Sequence, residues 1–168
     1  MALNWNKKSI DRNFGFNLKQ IEFNDNRFHA IYFVDSVTGS LLLSNRYSGN
    51  NHGMSQNRED LISSFLNALN LFIKEIKINK EEEIQEINFK DTRILYEKKG
   101  RLVIIGISKK TDLLIERQIL NEVLKDFYYK FEDEINHFQG YIDPKILDYK
   151  NHLKNLNLNS FVSFKRVI

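Results

Sequence analysis

The sequence predicts a single α+β domain built on a mainly antiparallel five-stranded sheet, with its elements in the order ββ-α-βββ-α-α. Five short runs rich in β-branched and aromatic residues, each bounded by turn signals, predict the strands. Longer segments with apolar residues at helical spacing predict the helices. The length of 168 residues suits a single core, and the sequence contains no internal repeat. We expect an N-terminal arm at 1–26, the domain at 27–158 and a C-terminal tail at 159–168.

Two apolar runs predict an opening hairpin. His29 to Asp35 and Ser40 to Tyr47 are rich in β-forming residues and flank a turn in which Gly39 can take a positive φ. Asp35 opens this turn. A carboxylate there more often bonds the turn backbone than acts as a catalyst, so we expect a structural role.

The first helix follows a polar loop at 48–56, with Asn57 as its predicted N-cap. On a helical wheel most of its apolar residues fall in one arc of roughly 160°, which predicts that this side lies across the sheet. The arc holds Leu61, Ile62, Phe65, Leu66, Ala68, Leu69, Phe72, Ile73 and Ile76. Leu71 lies outside the arc.

Three further strands are predicted at Ile84 to Phe89, Thr92 to Lys98 and Arg101 to Ser108. The last is almost entirely apolar, which favours a central position in the sheet.

The remaining chain predicts two helices. Thr111 or Asp112 caps a second helix, with apolar residues recurring as far as Phe138 and Gln139-Gly140 ending it. Pro144 begins a third helix. Its predicted apolar side comprises Ile146, Leu147, Tyr149, Leu153 and Leu156.

Three segments resemble longin and roadblock domains: the hairpin IYFVDSVTGSLLLSNRYSG, the helix REDLISSFLNALNLFIKEI and the meander INFKDTRILYEKKGRLVIIGIS. The resemblance covers about residues 28 to 156. The helix is similar to that of longin-like proteins from archaea related to eukaryotes. The resemblance implies a longin-like sheet with one helix on one face and two on the other, preceded here by an N-terminal extension. The third helix favours longin over roadblock.

The same resemblance implies a scaffold without an active site or cofactor. Longin and roadblock domains pair with each other, bind small GTPases or their regulators, and occur in vesicle-traffic complexes. We therefore expect a cytoplasmic protein-interaction module, peripheral to membranes through its partners, that binds a small GTPase or another longin or roadblock subunit. A homodimeric roadblock-type scaffold and a profilin- or PAS-like small-ligand sensor are the alternatives.

Composition and motifs argue against several other classes. The absence of cysteine excludes thiolate metal sites and a Cys nucleophile. The four histidines have no metal-binding spacing, and no phosphate-binding glycine motif occurs. The net charge is +3, with a pI near 9.0, and the basic residues are dispersed, which does not favour nucleic-acid binding. No apolar run approaches the ~20 residues of a membrane-spanning helix, and we expect no signal peptide.

Two surfaces are predicted to bind a partner. The first is the outer side of the first helix at Leu71, with Asn67 and Lys74 beside it. The second is the strand Ile84 to Phe89, expected at an open sheet edge, where a partner strand can add to the sheet. The predicted contact residues there are Ile84, Ile87 and Phe89. The third helix can either dock permanently on the domain or dock loosely. In the second case the groove beneath it is a further candidate site, for a peptide.

Overall fold

The computed structural model describes residues 27–47, 64–69, 71, 72, 75, 83–156 and 158 of the chain. The predicted arm at 1–26, the loop at 48–56 with its Asn57 cap, and the tail at 159–168 lie outside these residues.

The described residues form a five-stranded antiparallel sheet with the order β2-β1-β5-β4-β3. The strands are β1 (Phe28–Asp35), β2 (Leu41–Arg46), β3 (Glu86–Asn88), β4 (Arg93–Lys99) and β5 (Leu102–Ser108). All five predicted strands are confirmed, with bounds that differ from prediction by one or two residues. β5 lies between β1 and β4, as its continuous apolar run predicts for a strand covered on both faces.

Helices cover both faces of the sheet. Residues 64–69, 71, 72 and 75 are helical and belong to α1. The later helices are α2 (Leu113–Lys130), α3 (Glu132–Asn136) and α4 (Pro144–Asn155). The predicted starts of α2 and α4 are confirmed. The Asp112 side chain accepts a hydrogen bond from the Ile115 amide, and Pro144 follows the capping residue Asp143.

Two apolar clusters lie on opposite faces of the sheet. The larger contains Phe33 of β1, Phe127 of α2 and Tyr149 of α4, whose rings lie 4.3–5.9 Å apart. The smaller joins Leu66 of α1 to Tyr32 and Ile105, among other residues of β1 and β5. Among the described helices, α1 therefore covers one face, and the two long helices α2 and α4 cover the other, as predicted; Ile135 of the short α3 joins the same larger cluster.

The second helix is shorter than predicted. It ends at Lys130 rather than at Gln139-Gly140, because Phe131 leaves the helical conformation with φ −126° and ψ 29°. The five-residue helix α3 follows. At the end of α3, the backbone carbonyls of Asn136 and Phe138 accept hydrogen bonds from Arg101 at 3.2 Å each. This stabilising contact comes from a distant part of the chain, so helical periodicity alone does not predict it.

Among the described residues of α1, only part of the predicted apolar arc faces the sheet; Leu61, Ile62, Ile73 and Ile76 lie outside these residues. Leu66 is buried, whereas Phe65 and Phe72 are 52% and 58% exposed, and Ala68 is exposed as well. The arc is wider than the contact that the sheet offers, and the helix is rotated so that the buried side lies near Leu66. The prediction that the whole arc packs on the sheet is therefore wrong.

α4 docks firmly on the sheet and on α2. Ile146, Tyr149 and Leu153 are at most 4% exposed and follow i, i+3, i+7 spacing. Leu147 lies about 100° around the helix from Ile146. It is 52% exposed, so its predicted place on the apolar side is wrong. The docked helix, rather than the open groove, is the arrangement found.

Candidate protein-interaction surface

β3 lies at the edge of the sheet, with β4 as its neighbour, as the sequence predicts. The amide of Phe89 donates to the Thr92 carbonyl at 2.9 Å, and the carbonyl of Gln85 accepts from the Tyr96 amide at 3.1 Å. In an antiparallel pair, alternate residues bond the neighbouring strand. The backbone N–H and C=O groups of Glu86 and Asn88 therefore face away from β4.

Two apolar side chains of this segment, those of Ile87 and Phe89, lie on the α1 face of the sheet. Ile87 pairs with Ile94, which packs against the smaller apolar cluster. Phe89 lies two residues further along the strand direction and so points to the same face; it is 52% exposed. Ile84 and Ile87 are half-buried. The structure therefore brings Ile87 and Phe89 to one face, whereas Ile84 precedes β3 and is not placed with them.

An exposed apolar stripe runs along the outer side of α1. It consists of Phe65, Ala68, Leu71 and Phe72, and we call it the α1 stripe. Leu71 is 55% exposed, as predicted, but it is not a solitary leucine, because the exposed Ala68 lies one turn before it on the helix surface.

Asn67 borders the α1 stripe one helical turn before Leu71 and is exposed. Its side chain also contacts the β1–β2 turn: Cγ and Oδ1 lie 3.1 Å from the position that a Cβ would occupy at Gly39, where φ is +75°. Gly39 is thus required both by its backbone conformation and by this close approach. Lys74, the other residue predicted here, lies outside the described residues.

Arg117 of α2 links the helix to the edge of the sheet. Its guanidinium donates to Glu86 at 2.9 Å, to Glu97 at 3.1 Å and to the Gln85 carbonyl at 3.3 Å. Asn88 donates to Glu86 at 3.0 Å. The hydrogen bonds from Asn88 and Arg117 together hold the pKa of Glu86 below its ordinary value. Sequence reasoning missed Arg117, since nothing local marks a helical arginine as the partner of two strands.

Asp35 has the structural role that the sequence predicts. Its Oδ2 accepts from the Thr38 amide at 2.9 Å and from the Thr38 hydroxyl at 2.7 Å. Arg101 adds two bonds to the same carboxylate, at 2.8 and 3.0 Å. Burial raises the pKa of Asp35, but the bonds from Arg101 and Thr38 outweigh burial and hold it below the ordinary value.

Glu116 is a second fully buried carboxylate, in the first turn of α2. It accepts from the Thr111 amide at 3.1 Å and from the Thr111 hydroxyl at 3.2 Å, and Arg93 lies 3.2 Å away. These contacts join the β5–α2 connection to the start of β4. Glu116 therefore serves the packing of α2 and faces no open site.

The described part of the chain contains no group of three or more acidic or histidine side chains placed to hold a metal ion. Of the histidines, His29 lies in β1, His137 follows α3 and His152 lies in α4, while His52 falls outside the described residues. Among the helices described, none is long and apolar enough to cross a bilayer.

The strand order, with one helix on one face and two on the other, defines a longin-like α+β domain. No protein-family model matches the chain. No curated protein matches it either. Among solved structures, it is similar to a chain of one titled "Homology model of the full-length AP-3 complex in a stretched open conformation", with 15% identity and a TM-score of 0.37, over 76% of this chain and 93% of that chain. A similarity of this size carries no information about function.

Proposed function

We propose that this chain is a non-enzymatic protein–protein interaction domain of longin type, and that its partner docks on the outer edge of β3 and on the α1 stripe. The observation that supports this most directly is the edge at Glu86 and Asn88, which within the described residues is open on the side away from β4, with Phe89 exposed beside it. Unpaired edge groups can accept a further strand by β-augmentation.

The α1 stripe adds apolar area on the same face of the sheet as Phe89. Its members Phe65, Leu71 and Phe72 are each more than half exposed. Aromatic side chains are enriched among the residues that supply most of the binding energy at protein interfaces. A contiguous set of large apolar side chains is a more informative feature than scattered ones.

The resemblance to longin domains favours a small GTPase, or a subunit of a trafficking-like complex, as the partner. In that role the domain would be cytoplasmic and would reach membranes through its partners. Membership of the archaeal longin-like proteins is part of the same proposal and rests on the resemblance of the segments quoted above.

A homodimeric scaffold of roadblock type is the second candidate, and the same edge favours it. An open antiparallel edge strand can pair with its own copy about a two-fold axis, giving a sheet that continues through both subunits. In this case Glu86 and Asn88 of one subunit would bond the equivalent strand of the other.

The test compares Phe89→Asp and Leu71→Asp with Val37→Asp. Val37 is 70% exposed in the β1–β2 turn, toward the edge of the sheet opposite β3. It is the matched control, since it is an exposed apolar residue away from the β3 edge. We expect the first two variants to weaken partner binding by about tenfold or more, since each buries a charge at the contact. The control should bind as the parent does.

Two measurements show the outcome: the native mass at micromolar concentration, and capture by candidate small GTPases loaded with either nucleotide. A dimer mass that Phe89→Asp alone abolishes supports the scaffold, whereas capture that depends on the nucleotide supports GTPase binding. Equal losses in Phe89→Asp and Val37→Asp would contradict the proposed surface.

A further inference from the structure

We propose that Arg117 is a positioning residue that holds the outer edge of β3 ready for an extended polypeptide segment with alternating basic and apolar side chains. This inference rests on the proposed docking edge and names the residue that presents it. Arg117 itself is not required to touch the partner.

In the part of the chain that the structure describes, few other contacts hold the edge strand. β3 is three residues long, and its side chains are half-buried at Glu86 and Ile87 and exposed at Asn88. Short strands at a sheet edge gain little from burial and fray readily. A link from the packed helix α2 to this strand therefore has a large influence on whether the strand stays in place.

Arg117 supplies that link through a planar guanidinium that donates in several directions. One side of the contact is Glu86 of the edge strand, and the other is Glu97 of β4. A third bond reaches the Gln85 carbonyl, the same oxygen that accepts from the Tyr96 amide of β4. The guanidinium thus joins the helix, the edge strand and its neighbour at one point.

The anchored residues are those whose backbone faces outward. Glu86 is bound directly by Arg117, and Asn88 is tied to Glu86 by its side-chain amide. The backbone groups of these two residues form the outward row of the edge. The network on the α2 face therefore fixes the spacing of the groups that a partner strand would bond.

The charge and shape of the edge indicate what the partner segment carries. Glu86 and Glu97 share the Arg117 guanidinium, and the nearby Arg93 pairs with Glu116. These three carboxylates and two guanidinium groups together carry one net negative charge. On the α1 face the segment would meet Phe89 and Ile87. Since side chains of a strand alternate between faces, the matching segment has Lys or Arg at every second position and apolar residues between them.

Hydrogen exchange in the full chain tests the positioning role without any partner. We expect Arg117→Met to speed exchange of the Phe89 and Tyr96 amides by about tenfold or more, while the Ile104 amide of the central strand is unchanged. Arg117→Lys, which keeps the positive charge but loses the planar guanidinium with its several donors, should show an intermediate effect. Lys125→Met is the control, because Lys125 lies on α2 and its ion pair, 3.9 Å to Glu122, stays within the helix. Unchanged Phe89 and Tyr96 exchange in Arg117→Met would overturn the inference and leave the proposed function standing.

A binding experiment uses a short synthetic peptide of alternating lysine and valine, followed by the amide NMR signals of Glu86 and Asn88. We expect the peptide to shift these signals in the parent, and about tenfold more weakly in Arg117→Met. A peptide with glutamate in place of lysine should bind less. Equal binding by the two peptides would overturn the assigned partner chemistry. Failure of both to bind a parent that shows normal exchange would instead count against the docking edge itself.

Discussion

At the scale of single residues, the buried pair of Asp35 and Arg101 shows what a local pattern can and cannot predict. An aspartate that opens a turn is recognisable from its neighbours, and its bonds to Thr38 confirm this role. Arg101 lies 66 residues further along the chain, so no local signal connects the two. The pair also joins the β4–β5 turn to the carbonyls that follow α3.

Arg101→Met should destabilise the protein by about 2–4 kcal/mol, because it leaves the fully buried Asp35 carboxylate without its cation. A quarter of the Arg101 side chain is exposed, so solvent screens the pair and lowers this cost from that of a fully buried pair. Urea unfolding measures this free energy. Lys98→Met is the control. It breaks an exposed pair with Glu83, and the loss there should stay below about 1 kcal/mol.

The same pair gives the protein an acid sensitivity of defined sign. The pKa of Asp35 is lower in the folded protein than the ordinary 3.8, so the unfolded chain takes up a proton first as the pH falls. The stabilisation is therefore present above about pH 4 and is lost below it. Arg101→Met should flatten this part of the stability profile. A profile as steep as that of the parent, or equal losses in Arg101→Met and Lys98→Met, would contradict this role of the pair.

At the scale of elements, helix starts are predicted well and helix ends and faces less well. Asp112 and Asp143 cap their helices through bonds within a few residues, so the sequence shows them directly. The end of α2 at Lys130 coincides with the burial of Phe131 in the larger apolar cluster, whose members come from distant parts of the chain. The exposed positions of α1 and Leu147 of α4 depend on how each helix is rotated on the sheet, which periodicity leaves open.

α4 allows the packing of one helix to be tested with a matched pair. Leu153 is fully buried against the larger apolar cluster, whereas Leu147 is 52% exposed on the same helix. We expect Leu153→Ala to cost about 2–5 kcal/mol of unfolding free energy through lost contacts and a cavity. Leu147→Ala should stay within about 0.5 kcal/mol of the parent. Denaturant unfolding of both variants checks this, and similar losses would show that α4 is not docked as described.

At the scale of the whole molecule, the element order and the long apolar strand β5 predict most of the architecture. The resemblance to longin domains predicts one helix on one face and two on the other, and the two apolar clusters confirm this arrangement. The proposed interaction surface is only partly predictable from the sequence. The sequence predicts Leu71, Ile87 and Phe89 as contact residues, but its helical periodicity places Phe65 and Phe72 in the core. No local sequence pattern marks Arg117 as a contact residue, since its partners Glu86 and Glu97 lie on two strands that are distant in the chain.

The central claim, that partners dock on the β3 edge, is tested most directly by site-specific photocrosslinking in the source cell. A benzophenone side chain is placed at Phe89 in one sample and at Val37 in another, both of them exposed positions. We expect the probe at Phe89 to form discrete protein adducts, and a second substitution, Leu71→Asp, to reduce their yield. The probe at Val37 should form few. Equal adducts from both positions, or adducts from Val37 alone, would contradict the claim.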